Sequence, residues 1–230
     1  MEGNFSFHAA LAEGTYWRLL ASMVKTPGTC EARLAEWTSE APGQVRSCTQ
    51  RKDLYFWAAA AIKTAWTNDP ATHTGPFVSF RDVHTGPRPL RTPHPPIWVG
   101  GASDAALRRA VRLGDAWHPI RIRVPWLRDT GLPRLREIAD KEGRPRPALC
   151  PRIRLRITDS AVAEDGRIAG DGSLDQVRAD LEALAALGAS YVLLDTYTDD
   201  PEATRHHEPA WRMLATLAER VLDLPRETLR

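Results

Sequence analysis

The sequence predicts an α/β protein built on parallel strands, and three stretches carry that prediction. Residues 95–119, PPIWVGGASDAALRRAVRLGDAWHP, read as strand, crossover helix and strand, the unit that joins parallel neighbours. Residues 152–158, RIRLRIT, alternate strictly between arginine and apolar residues, the period of a strand. Tyr191 to Leu194 form a short apolar run that delivers Asp195 and Thr196 at its carboxyl end, where α/β proteins place ligands. Four parallel strands are expected near 97–101, 115–119, 152–158 and 191–195, in sequential order with helices on one side.

The first of these stretches is the most informative. Pro95 and Pro96 preset an extended backbone, Ile97-Trp98-Val99 is a buried-strand run, and Gly100-Gly101 ends it abruptly. Ser103 then caps a helix over 103–113, with Ala106, Leu107, Ala110, Val111 and Leu113 on one side, Asp104 in the first turn and Gly114 at the stop. The amides of Gly101, Ala102 and Ser103 open that helix directly after a strand, the arrangement that receives an anion such as a phosphate. Glycine there lets a phosphate approach the backbone and permits positive φ. The same residues also serve a plain chain turn and an ordinary helix cap.

The other elements follow from period and punctuation. Residues 1–50 form an atypical, poorly ordered N-terminal segment, in which His8 to Lys25 and Cys30 to Trp37 have helical spacing. From Arg51 a second region runs to residue 230, opening with an amphipathic helix through Leu54, Trp57, Ala58, Ala61, Ile62, Ala65 and Trp66. Thr67 to Pro70 end it, Phe77, Val78 and Phe80 mark a small strand or hairpin, and five prolines between Pro87 and Pro96 carry the chain onward extended. Ile120 to Val124 alternate, a helix starts near Pro133 and closes at Gly143, and Ala163 to Gly172 is a turn-rich loop. Ser173 and Gln176 form a capping box on a helix that Gly188 ends, and a last helix runs from Pro201 behind Asp200 to Pro225.

Composition narrows the function classes. The 230 residues carry 31 basic and 29 acidic side chains, interspersed, for a formal charge of +2. That balance gives no footprint for nucleic acid or an anionic membrane. Three cysteines, Cys30, Cys48 and Cys150, show no disulfide or metal spacing, which fits a reducing cytoplasm. The longest apolar run, Phe56 to Ile62, is far too short to span a bilayer. One feature stands out: Arg152, Arg154 and Arg156 share one face of a strand. Buried guanidiniums each cost several kcal/mol unless paired, so that face is either wet or meets carboxylates or phosphates.

Four segments together resemble the second half of luciferase-like monooxygenases: WTNDPATHTGPFVSF, PRP, HPPIWVGGASDAALRRAVRLGDAWHPI and SLDQVRADLEALAALGASYVLLD. The resemblance covers Arg51 to Leu224 and is closest to the branch that uses the deazaflavin coenzyme F-420, with FMN as the alternative cofactor. It implies a (β/α)8, TIM-type barrel whose active site lies at the carboxyl ends of the strands. It also implies oxidoreductase chemistry, hydride passing between a reduced deazaflavin or flavin and a small organic substrate. By the same resemblance Gly100, Gly101, Ala102 and Ser103 cradle the cofactor's phosphate-bearing side chain, and Trp117 and His118 face the cofactor pocket. For His118 the alternative is a ring bonded to a nearby carbonyl at the strand end, and for Asp195 a capping or structural carboxylate.

Residues 1–50 do not resemble the family's first half, so the expectation is a partial barrel: its C-terminal half, with about four parallel strands, beside a helical N-terminal segment. A truncated, non-catalytic member that folds and at most binds a phosphate-bearing ligand is the second expectation. Half a barrel leaves strand edges and an apolar face open, and a homodimer or other self-association is expected to cover them.

Overall fold

The computed structural model describes residues 59–75, 78–200, 202–226 and 228–229. The described residues divide into two compact units between Leu90 and Arg91. The segment 1–50, its boundary at residue 51, and Leu54 and Trp57 lie outside the described residues.

In the first unit, residues 59–67 are helical (α1) with Ala61 buried. The helix ends where expected. Arg88 lays its guanidinium on the carbonyls of Ala65, Trp66 and Asn68 at 3.3, 3.3 and 2.8 Å, a cation at the negative end of the helix dipole. The small hairpin is present as β1 (Ala71–Thr74) and β2 (Ser79–Val83), antiparallel, with a bulge between Ala71 and His73.

The second unit carries the parallel strands. β3 (Trp98–Gly100) leads through Ser103 into α2 (Asp104–Leu113), and β4 (Ala116–His118) pairs parallel to β3 with Gly100 opposite His118. The Ser103 hydroxyl accepts the Ala106 amide at 3.3 Å and Gly114 closes the helix, as the local signals require. A short helix (Val124–Trp126) and a π-helical turn (Leu127–Gly131) then run into α3 (Leu132–Glu142), which Gly143 ends with φ 60°. The alternation over 120–124 does not make a strand: beyond Ile120, Arg121 turns to φ 50° and Pro125 starts a helix.

β5 (Ala148–Leu149) pairs parallel to β4, and β6 (Arg152–Arg154) pairs parallel to β9 (Leu193–Asp195). Pro151, which has no amide to donate, separates β5 from β6. Parallel bridges Ile120↔Arg152 and Leu149↔Ala189 carry the pairing past it. The order of strand positions is therefore sequential, as the alternation of elements predicts. The expected single strand over 152–158 is two pieces, because its partner changes at Leu155. The Leu155 amide still donates to Asp195 at 2.7 Å, while the Arg156 amide donates to Gly170 at 3.0 Å, and β7 (Arg156–Ile157) pairs with β8 (Asp171–Gly172). Only glycine lets β8 come this close: a Cβ on Gly170, at φ 84°, would stand 1.7 Å from the Arg154 carbonyl oxygen.

α4 (Leu174–Ala186) opens with the complete Ser173–Gln176 capping box and ends at Gly188 with φ 83°. The last helix begins later than expected. Asp200 caps only a 3-10 turn (Ala203–Arg205), its carboxylate accepting the Glu202 amide at 2.9 Å, and α5 (Glu208–Arg220) starts with Pro209 in its first turn. A short hairpin, β10 (Leu222–Asp223) and β11 (Thr228–Leu229), follows.

Strand alternation sorts the sheet into two faces. Val99, Trp117, Leu149, Ile153 and Leu155 point one way and form one apolar cluster with Leu107 and Val111 of α2, Leu135 and Ile138 of α3, Val177 and Leu184 of α4, and Leu217 of α5. Burial at roughly 25 cal/mol per Å² makes this cluster the main stabilising element of the unit. The opposite face carries Trp98, His118, Ile120, Arg152, Arg154 and Tyr191, and there Trp98, Ile120 and Tyr191 remain 39%, 46% and 65% exposed.

Candidate functional site

Gly100 to Ser103 sit at the carboxyl end of β3, where the chain turns into α2. Gly101 has φ 100°, and a Cβ there would lie 2.8 Å from the Ala106 Cβ, so conformation and space both exclude a side chain. Gly100 differs: a Cβ on it would meet the His118 carbonyl at an ordinary 3.5 Å. The positive end of α2 already has one carboxylate beside it. Asp104 is gripped by Arg134 at 2.9 and 2.5 Å, which holds its carboxyl below the usual range.

Trp117 and His118 stand on opposite faces of β4, as consecutive strand residues must. Trp117 is fully buried under the helices, beside Trp126 at 6.4 Å between ring centroids. Its indole N–H donates to the Gly101 carbonyl at 2.8 Å, so it holds the glycine turn from behind. His118 is half-buried on the face opposite the apolar cluster. It makes the carbonyl bond weighed for it, its Nδ1 standing 2.5 Å from the Cys150 carbonyl oxygen. A carbonyl only accepts, so Nδ1 carries the hydrogen and Nε2 is left as the ring's acceptor. Burial pushes the His118 pKa below its ordinary value, the carbonyl bond opposes this, and the nearby Arg152 charge adds to it. The imidazole is thus a neutral acceptor at neutral pH.

Around His118 lie residues that sequence reasoning passed over. Trp98 stacks obliquely between His118, at 5.4 Å, and Tyr191, at 5.8 Å. Its signal was available, since Trp98 is two residues before Gly100 and shares its face. Beyond the aromatic group the arginine face meets carboxylates of this same chain. Arg152 holds Asp195 at 3.0 and 2.8 Å, Arg154 bonds Asp199, and Arg156 holds Asp171 at 2.7 Å. Arg121, at the end of β4, also bonds Asp199. Asp195 accepts the Tyr197 amide at 3.0 Å besides Arg152, the structural and capping role weighed for it. Cys150 is buried, and burial pushes its thiol up to about 11, so it is protonated and unreactive at neutral pH. Among the described residues no group of three metal-binding side chains comes together, and no helix is long and apolar enough to cross a membrane.

Among the described residues, parallel strands in sequential order with helices packed on one face define a partial TIM-type barrel. The profile of the luciferase-like monooxygenases matches residues 58–216, and the chain belongs to that family. A relative, the FMNH2-dependent dimethylsulfone monooxygenase of Pseudomonas putida, is 43% identical over 58 residues, 25% of this chain and 16% of that protein. Among solved structures, an F-420-dependent secondary alcohol dehydrogenase bound to an F-420–acetone adduct superposes with a TM-score of 0.57 at 14% identity, over 67% of this chain and 59% of that one. The coenzyme F-420-dependent tetrahydromethanopterin reductase of Methanopyrus kandleri gives 0.58 at 11% identity, over 78% and 63%. A monooxygenase from Streptomyces bottropensis gives 0.58 at 18%, again over 78% and 63%. These identities support the shared fold, and the chain spans less than two thirds of each of these proteins.

Proposed function

We propose that this chain is an oxidoreductase of its family, passing hydride between reduced coenzyme F-420, or alternatively FMN, and a small organic substrate. The observation that carries the reading is the Gly101 turn. Positive φ, a space that any Cβ would fill and the start of a ten-residue helix coincide at the carboxyl end of a parallel strand, opposite His118. Backbone amides of Gly101, Ala102 and Ser103 would hold the phosphate-bearing side chain of the cofactor, and Trp117 keeps that turn in place through its bond to Gly101. When bound, the cofactor supplies the hydride chemistry. The protein supplies the rest: the turn anchors, Trp98 and Tyr191 offer flat surfaces, and His118 presents Nε2 as an acceptor of a hydrogen bond or proton.

The test is an absorbance titration of the purified full chain with coenzyme F-420 and with FMN, followed by the same titrations on Gly101→Val. The variant is expected to bind at least tenfold more weakly, about 1.4 kcal/mol. Unchanged curves for a folded variant would remove the glycine turn from the cofactor site. A second reading, a non-catalytic member that self-associates and binds a phosphate-bearing ligand without turnover, is favoured by one observation: Trp98, Ile120 and Tyr191 lie exposed on the face opposite the apolar cluster. Hydride transfer to an organic acceptor by the cofactor-loaded chain would exclude it.

A further inference from the structure

We propose that Arg121 and Arg154 form a carboxylate-binding subsite in which the acid group of an organic-acid substrate takes the place of the Asp199 side chain. The inference rests on the functional reading above and names its substrate class. The two guanidiniums stand at the carboxyl ends of neighbouring strand positions, joined by the Ile120↔Arg152 bridge. Each bonds a different oxygen of Asp199, so the position between them already fits one carboxylate.

Asp199 is built to leave. It follows β9 on a segment without regular structure, is 48% exposed, and has φ 67°, while its partner Arg121 has φ 50°. Aspartate tolerates the left-handed region, so the backbone at Asp199 is held by no regular element and by no demand of the ion pair. Its neighbour Asp195 contrasts sharply: 14% exposed, it is bonded twice by Arg152 and once by the Tyr197 amide. Arg154 is the more buried of the two cations, at 20% exposed, and a guanidinium offers five donors, of which Asp199 uses one here. Among the described residues the pairs on this face set three guanidiniums, Arg121, Arg152 and Arg154, against two carboxylates, Asp195 and Asp199, an excess of one positive charge. Trp98, His118 and Tyr191 lie on the same face and suit a planar, apolar body attached to that acid.

The probe is benzoate, titrated calorimetrically into the full chain without cofactor, with benzamide as the neutral isostere and inorganic phosphate as the competing anion. Benzoate is expected to bind at least tenfold more tightly than benzamide. Asp199→Asn, which removes the internal competitor, is expected to tighten benzoate at least threefold, and Arg154→Gln to weaken it at least tenfold. Arg121→Gln gives the same reading should Arg154→Gln fail to fold. Equal binding of benzoate and benzamide, or weaker benzoate binding by Asp199→Asn, would overturn the subsite. Inorganic phosphate binding more tightly than benzoate and displacing it would overturn the assignment to a substrate acid, pointing instead to a phosphate group. Because no cofactor is present, failure here is separate from failure of the F-420 and FMN titrations.

Discussion

Replacing Trp117 by Phe tests the link between the core and the glycine turn. The ring is fully buried and its N–H reaches the Gly101 carbonyl at 2.8 Å. Phenylalanine keeps most of the apolar body but removes the donor, leaving that carbonyl without this partner at a cost of about 1–3 kcal/mol. The space left by the missing part of the indole adds about 1 kcal/mol, since a packed core collapses only in part around a small void. A total of about 3 kcal/mol lowers the melting temperature by roughly 6–12 °C for a chain of this size. Urea unfolding followed by far-ultraviolet circular dichroism reads the change without depending on tryptophan emission, and the midpoint should fall with its slope unchanged. Trp126→Phe is the control, because that ring packs against the same cluster from a half-buried position. If Trp117→Phe unfolds at the parent midpoint, or falls no further than Trp126→Phe, the indole does not hold the turn. The same variant should also bind cofactor more weakly, since the turn loses its support from behind.

Three further outcomes are expected. His118 has a folded pKa below its ordinary 6.5, chiefly through burial, so its contribution to stability is present above 6.5 and is lost as pH falls toward the folded value. Unfolding midpoints at pH 7.5 and 5.5 should differ less in His118→Gln than in the parent, and an identical pH slope would count against the assignment. Asp180, 5% exposed, holds Arg167, 9% exposed, at 2.7 and 2.9 Å and also accepts the Gly170 amide, so Asp180→Ala leaves the guanidinium to the exposed Glu164 carboxylate and the Asp171 carbonyl and should cost about 1–3 kcal/mol in thermal melts. Loss of less than about 1 kcal/mol would show that the pair is not what fixes β8. Sedimentation equilibrium at micromolar concentration should show dimers or larger species, because a partial barrel leaves strand edges open to pairing, and a stable 25.6 kDa monomer would exclude that association.

What the sequence made legible is what is decided locally. Caps are such features: Ser103 before Asp104, and Ser173 with Gln176 three residues on, satisfy helix donors within one turn and need no knowledge of the rest of the chain. Competing local signals were harder. Pro201 reads as a helix start, yet α5 opens only at Glu208, with Pro209 in its first turn. The alternation at Ile120 to Val124 looked like a strand, yet it meets Pro125 and the positive φ of Arg121, and the chain turns into a helix instead. Trp117 and His118 were legible as strand residues. Which of the two faces the helices is set by the packing of α2 and α3, which lies beyond the strand's own pattern.

The arginine strand is fixed by partners far along the chain. Alternation alone told that Arg152, Arg154 and Arg156 share a face, and desolvation told that each needs water or an anion. It gave no means of choosing between them, because the partners are remote: Asp195 lies 43 positions from Arg152 and Asp199 lies 45 from Arg154. Once β9 pairs with β6, register brings Arg154 opposite Asp195, with the segment that carries Asp199 following directly. The chain meets its own cations with its own acids, so the strand tolerates a half-buried charged face without any ligand. The acids are unequal in burial. Asp171 and Asp195 are nearly enclosed, at 10% and 14% side-chain exposure, and fasten β7 and β6, whereas Asp199 stands 48% exposed on an irregular segment. An incoming anion therefore meets least resistance at Asp199, the rung shared with Arg121 beyond the carboxyl end of β4, the side on which barrels of this type keep their sites.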